Sequence, residues 1–140
     1  MRQLETIALA LAHVTGGTAS TAAGDATLLI PETEIIKALQ SAVRADDKQW
    51  FAEHLHLPVR YYGKTFRMIR SKEWFLKHYA TILGPELKAA ILAQDPESYL
   101  KNYQGLMVGE GSRNIWFADF GDPGAGTPSH YEIITINNSD

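Results

Sequence analysis

The chain has 140 residues, 45% of them hydrophobic and 21% charged, with thirteen Lys and Arg against sixteen Asp and Glu for a formal charge of -3. That length can bury roughly two-thirds of the unfolded surface in a single domain, and a near-balanced charge without long runs leaves no electrostatic footprint for nucleic acid. The chain contains no cysteine, which excludes disulfides, thiolate metal sites and thiol nucleophiles.

The first residues, MRQLETIALALAHVTGGTASTAAGDA, carry Arg2, an apolar stretch from Ile7 to Val14 and then small residues from Thr18 to Ala23. This is the outline of a secretory signal peptide. Residues 1–26 are read as a signal peptide or a flexible N-terminal segment, and 27–140 as one domain. The first reading implies a periplasmic or secreted protein, the second a cytoplasmic one. No stretch approaches the ~20 apolar residues of a membrane span.

Pro31 suits the first turn of a helix, and Ile35, Ile36, Leu39 and Val43 follow at helical spacing. After a break at residues 45–47, Asp46 or Asp47 caps a second, short helix carrying Trp50, Phe51 and Leu55, which should end before Pro58. "PVRYYGKTFRMIR" offers two β-rich runs about Gly63 and Lys64, a hairpin. Ser71 caps a third helix with Trp74, Phe75, His78, Tyr79 and Ile82 along one side, stopped by Gly84 and Pro85. A further helix runs from about Glu86 to Gln94.

"GLMVGEGSRNIWF" then poses a choice between a phosphate-cradling loop and a hairpin corner. A P-loop needs GK followed by Ser or Thr, and a dinucleotide fingerprint needs a helix after its glycines. Neither follows Gly111, and Asn114 to Phe117 favour strand. The stretch is therefore read as a strand over about 103–108, a loop over 109–113 and a strand over 114–120. "GDPGAGTPS" makes a looser turn before the closing strand "HYEIITIN", giving three consecutive antiparallel strands.

Helices, a hairpin, more helix and a meander make an α+β chain with helices on one face of a curved antiparallel sheet. That order, together with Gly105, Met107, Gly109, Gly111, Ile115, Trp116 and Phe117, resembles the nuclear transport factor 2-like superfamily, which includes ketosteroid-isomerase-like and polyketide-cyclase-like proteins. The residues are similar to the "GxMxGxGxIWF" stretch of small exported bacterial members, with Ser112, Arg113 and Asn114 inserted where those carry one residue. The resemblance implies a conical pocket between sheet and helices, in which some members perform acid–base chemistry.

Position alone nominates Asp119, His78 and Tyr61 as weak catalytic candidates, and Trp50, Phe51, Tyr61, Tyr79 and Trp116 as pocket-lining residues. Each has a plainer reading: a turn carboxylate for Asp119, a half-buried helix residue for His78, core for most of the rings. Arg60, Arg67 and Arg70 could receive an anion. His54 and His56 straddle a helix end and lack a third ligand, so no metal and no other cofactor is expected.

The expected function is a non-catalytic module binding a small apolar or anionic ligand, or a protein. The alternatives are an isomerase- or hydratase-like enzyme with an Asp or His base, and an inhibitor of a partner protein. In "NIWFADF" and "YEIITI" large apolar groups point to both faces, with Tyr131 and Ile133 opposite Ile134 and Ile136. One face should meet the helices. The other needs cover, from the segment before Pro31 or from a second copy, and a homodimer through the sheet face is the expectation, with Trp116 its probe residue.

Overall fold

The computed structural model of the chain describes residues 31–139. The segment 1–26 read as a signal peptide lies outside the described residues, as does the stretch before Pro31 proposed as sheet cover. Pro31 immediately precedes helix α1 (Glu32–Ala45), whose Ile36 and Leu39 are fully buried and whose Ile35 and Val43 join them. Asp46 ends it in a left-handed conformation, φ 48°.

Two short helices follow the same local recipe. α2 (Lys48–Glu53) is capped by Asp47, which accepts the Trp50 N–H at 3.1 Å; α3 (Lys72–Lys77) is capped by Ser71, which accepts the Trp74 N–H at the same distance. Each reads Lys-x-Trp-Phe-x-x-His, at 48–54 and again at 72–78. His54 and His78 close the two units identically, each ring nitrogen bonded to the carbonyl of the Trp four residues earlier (2.7 and 2.8 Å) and each ring stacked on that Trp at 3.9 Å. Phe51 and Phe75, both fully buried, meet with ring centroids 6.3 Å apart. The helix expected from Ser71 through Ile82 is thus interrupted at His78, and a separate turn, α4 (Tyr79–Ile82), continues the chain. Pro85 opens the last helix, α5 (Pro85–Ala93), in the first position where its missing N–H costs no bond.

The strands are β1 (Leu55–Tyr62), β2 (Phe66–Ile69), β3 (Leu100–Asn102), β4 (Gly105–Glu110), β5 (Arg113–Asp119) and β6 (Tyr131–Asn138), in the order β2-β1-β6-β5-β4-β3. β1 and β6 run parallel and the other neighbours antiparallel, so the sheet is mixed and open, not wholly antiparallel as expected. β1 also begins earlier than expected, placing Leu55 in strand and not in helix. Pro58 is tolerated because the ladder to β6 breaks between Leu55 and Arg60 and the ladder to β2 begins at Val59, so no neighbour requires its missing N–H. β3 escaped the sequence reading: three residues, all exposed, give no alternation to detect.

The Gly109–Gly111 question resolves as a hairpin, tighter than expected. Only Gly111 and Ser112 lie outside the strands, with Glu110 opposite Arg113. Gly111 adopts φ 52°, and a Cβ on Gly109, at φ 121°, would sit 2.3 Å from the Arg113 carbonyl oxygen. Both glycines serve the backbone path.

The core lies between the sheet's inner face and the helices, with Leu106, Val108, Ile115, Phe117, Val59 and Ile69 fully buried. α5 crosses β4, β5 and β6 and packs on α1. Gln40 of α1 ties the two helices by donating to the Ile91 and Gln94 carbonyls, at 3.0 and 2.8 Å. Ile115 and Phe117 do face opposite to Trp116. In β6 the expected alternation fails. Trp116 pairs with Thr135 but Phe117 pairs with Ile133, which leaves Ile134 as an extra residue. This bulge shifts the phase, so Tyr131, Ile133 and Ile136 all enter the core and Ile134 stays half-buried.

Candidate functional site

Where the β1–β2 hairpin overhangs the helices, the inner edge of the sheet opens into a groove of about 840 Å³. Tyr61, Gly63, Lys64 and Arg67 come from the hairpin, Trp74 from α3, Glu86 from α5, and Arg113 and Asn138 from the adjoining ends of β5 and β6. Three of these are cations. Tyr61 points inward because Val59, Tyr61 and Ile69 share the buried phase of the hairpin. Burial raises its hydroxyl above the ordinary phenol range. Its ring lies over Gly63, where an added Cβ would stand 2.7 Å from the ring.

Arg67 is the Cα partner of Tyr61 and so projects to the same face. Its guanidinium lies over the Trp74 ring, 4.7 Å from the centroid, a cation–π contact that flattens the arginine against the groove wall. Arg113 donates to the Asn138 side-chain Oδ1 at 2.6 Å, and the Asn138 side-chain amide donates to the Ile82 backbone carbonyl at 3.1 Å, which fixes the groove floor to α4. The arrangement offers a flat aromatic, a phenol hydroxyl and three cations against the single carboxylate of Glu86 around one opening. Such groups suit an anionic ligand with an apolar body.

Of the residues singled out from the sequence, Tyr61 alone both served as a pocket candidate and lines this groove. Phe51 and Tyr79 are core: Phe51 is wholly buried, and Tyr79 contacts both Phe51 and Phe75 while its hydroxyl donates to Asp46 at 3.0 Å. Burial first, and then the Asp46 hydrogen bond, push the Tyr79 hydroxyl well above its usual range. Trp50 packs against the core beside His54. Trp116 stands on the opposite face of the sheet, in a depression of about 370 Å³ shared with Arg60, Tyr62 and Ile134. The five rings therefore do not form one pocket.

The acid–base candidates are committed elsewhere. Asp119 accepts the backbone N–H groups of Gly121 and His130, at 2.9 and 2.8 Å. Burial works to raise its carboxyl, but those bonds and one from Ser129 outweigh it and hold the group below the usual carboxylate range. His78 caps α3. His56 bonds Glu132 at 2.7 Å, and His130 bonds the other oxygen of the same carboxylate at 2.7 Å. Among the described residues, no group of three His, Asp or Glu side chains is placed to hold a metal ion. Nor is any helix among them long and apolar enough to cross a membrane.

A second polar cluster pins α1 to the sheet. Glu32 accepts from Lys101, from Tyr131 at 2.9 Å and from Tyr99 at 3.2 Å. Burial opposes its ionisation, yet the Lys101, backbone and Tyr131 hydrogen bonds bring its carboxyl down to about 2; the Tyr131 hydroxyl, buried and bonded to it, is pushed up to about 12. These groups act as a clasp.

Lys64, Glu86, Arg113 and Asn138 were not recognised from sequence as groove residues. Arg113 carried a faint signal, as part of the insertion after Gly111, but its approach to Asn138 depends on the β5–β6 register. No protein-family model, no curated protein and no solved structure matches the chain.

Proposed function

We propose that the chain is a non-catalytic ligand-binding module of the nuclear transport factor 2-like type, taking a small anionic ligand with an apolar body in the groove beneath the hairpin. The observation that carries this reading is the convergence of Lys64, Arg67 and Arg113 with Tyr61 and Trp74 around one opening. The commitment of Asp119 and His78 to backbone partners favours binding over an Asp- or His-based isomerase or hydratase. The likeness in fold type is supported by the element order and by helices gathered on one face of the sheet.

The test is titration with 8-anilinonaphthalene-1-sulfonate, an aromatic anion. Saturable one-to-one binding, weakened at least about tenfold (1.4 kcal/mol) in Lys64→Glu, is the expected result. Lys64 is exposed in the hairpin loop, so the variant should fold. Equal binding by Lys64→Glu would remove this site from the reading.

A second copy is proposed to cover the outer sheet face. Leu100, Met107, Trp116, Thr135, Arg60 and Met68 are successive Cα partners across all six strands, and Tyr62 and Phe66 remain exposed beside them. Burying such a face is favourable at ~25 cal/mol per Å². Light scattering should return a dimer for the native chain and a folded monomer for Trp116→Glu, since a charge cannot be buried there unpaired. A native monomer at about 100 μM, far above the dissociation constants of stable interfaces, would reject it.

A further inference from the structure

β2 stands at one end of the sheet, paired with β1 on one side and with no strand on the other among the described residues. Along it runs a second groove, of about 520 Å³, lined by Phe66, Arg67, Met68, Arg70, Ser71 and Trp74. Arg67 shares the inner phase of Tyr61, whereas Phe66 and Met68 belong to the outer phase with Tyr62 and Arg60. Side chains from both phases of the strand therefore line one groove. It follows the strand's free edge and lies over neither face.

An edge strand presents a row of backbone N–H and C=O groups with the spacing of another strand. Polypeptide satisfies those groups, and nucleic acid does not. The charge around the edge selects further. Arg60, Lys64, Arg67, Arg70 and Lys72 fall within residues 60–72, which contain no Asp or Glu, although the chain as a whole is acidic. A second copy of β2 would bring Arg67 and Arg70 against their own counterparts, so this edge repels itself. An extended segment with acidic side chains meets the opposite situation.

We propose that the free edge of β2 is a docking site for an acidic, extended peptide of a partner protein, which adds as a further strand of the sheet. The peptide's backbone pairs with β2, its acidic side chains meet Arg67 and Arg70, and an apolar residue rests on Phe66, which is 54% exposed. With four residues in β2, the paired stretch is short. Affinity then depends on charge as well as on the backbone ladder.

The test uses the acetylated, amidated heptapeptide Glu-Val-Val-Glu-Val-Val-Glu, whose acids three residues apart match the spacing of Arg67 and Arg70, titrated into the isotopically labelled chain and followed by amide chemical shifts. Shifts concentrated at residues 66–70, with a dissociation constant of about 10–100 μM, are expected. Arg70→Glu should weaken binding at least about tenfold and leave the fold intact, because Arg70 is exposed. Arg70 does not line the groove beneath the hairpin, so this variant should still bind the sulfonate probe. A heptapeptide N-methylated at alternate residues, in either of the two registers, should bind more weakly than the parent in one register. Equal binding by both N-methylated forms and by an oligothymidylate of matching charge would show attraction by charge alone and overturn the proposal. In the Trp116→Glu chain, which removes the sheet-face dimer, shifts at 66–70 that arise from protein concentration without peptide would assign the edge to a second copy, which also overturns it.

Discussion

α2 and α3 are near-copies in sequence and in local structure, yet only one of them borders the candidate site. Both begin with a capping side chain on the Trp N–H, both bury a Phe and both end with a His stacked on the Trp. Their surroundings differ. Among the described residues the Trp50 ring meets only Phe51 and His54 as ring contacts, whereas Trp74 also receives the Arg67 guanidinium and lines both grooves beside β2. A seven-residue pattern thus specifies a helical turn and its caps, while what the turn does depends on which strand passes over it.

The largest expected effect tests the equivalence of the two units in the core. Phe51→Ala and Phe75→Ala should each lower stability by about 3–5 kcal/mol, measured by urea unfolding followed with circular dichroism. Because the rings touch, the double variant should lose less than the sum. A cost below about 1 kcal/mol for either ring, far under the usual range for a buried Phe, would break the comparison.

The next experiment sharpens the difference. Trp74→Leu should weaken binding of 8-anilinonaphthalene-1-sulfonate about tenfold, or 1.4 kcal/mol, while Trp50→Leu should leave it unchanged in protein shown to be folded. An equal loss from both would mean that the indoles act through stability and not through the groove.

The smallest effect lies at the caps. Asp47→Ala and Ser71→Ala should each cost about 1 kcal/mol, by the same unfolding measurement. The exchanges Asp47→Ser and Ser71→Asp should each stay within about 0.5 kcal/mol, since both side chains accept the same N–H well. A large penalty for one exchange would show that its cap has a second role.

Much of the fold was legible because its signals are local. The stripe of Ile35, Ile36, Leu39 and Val43, the caps at Asp47 and Ser71, the turn at Gly63 and the hairpin at Gly111 each follow from the stereochemistry of a few neighbouring residues. β3 was invisible because three exposed residues carry no period. Leu55 was assigned to the wrong element because Pro58 read as a helix stop, when a gap in the pairing of β1 lets it stand inside a strand. The candidate site was less legible than the fold. Tyr61 and Arg67 were singled out, but no local pattern joins them with Arg113, Glu86 and Asn138.

By itself, then, the sequence determined the α+β class, the positions of most helices and turns, and the alternation of Ile115 and Phe117 with Trp116 in β5, all of which depend on contacts within a few residues. Only the tertiary structure decided the parallel β1–β6 pairing, the bulge at Ile134 that sends Ile136 into the core, and the gathering of Lys64, Arg67 and Arg113 along one groove. Those features join residues tens of positions apart, and nothing in the local chain encodes which distant strand will supply the partner.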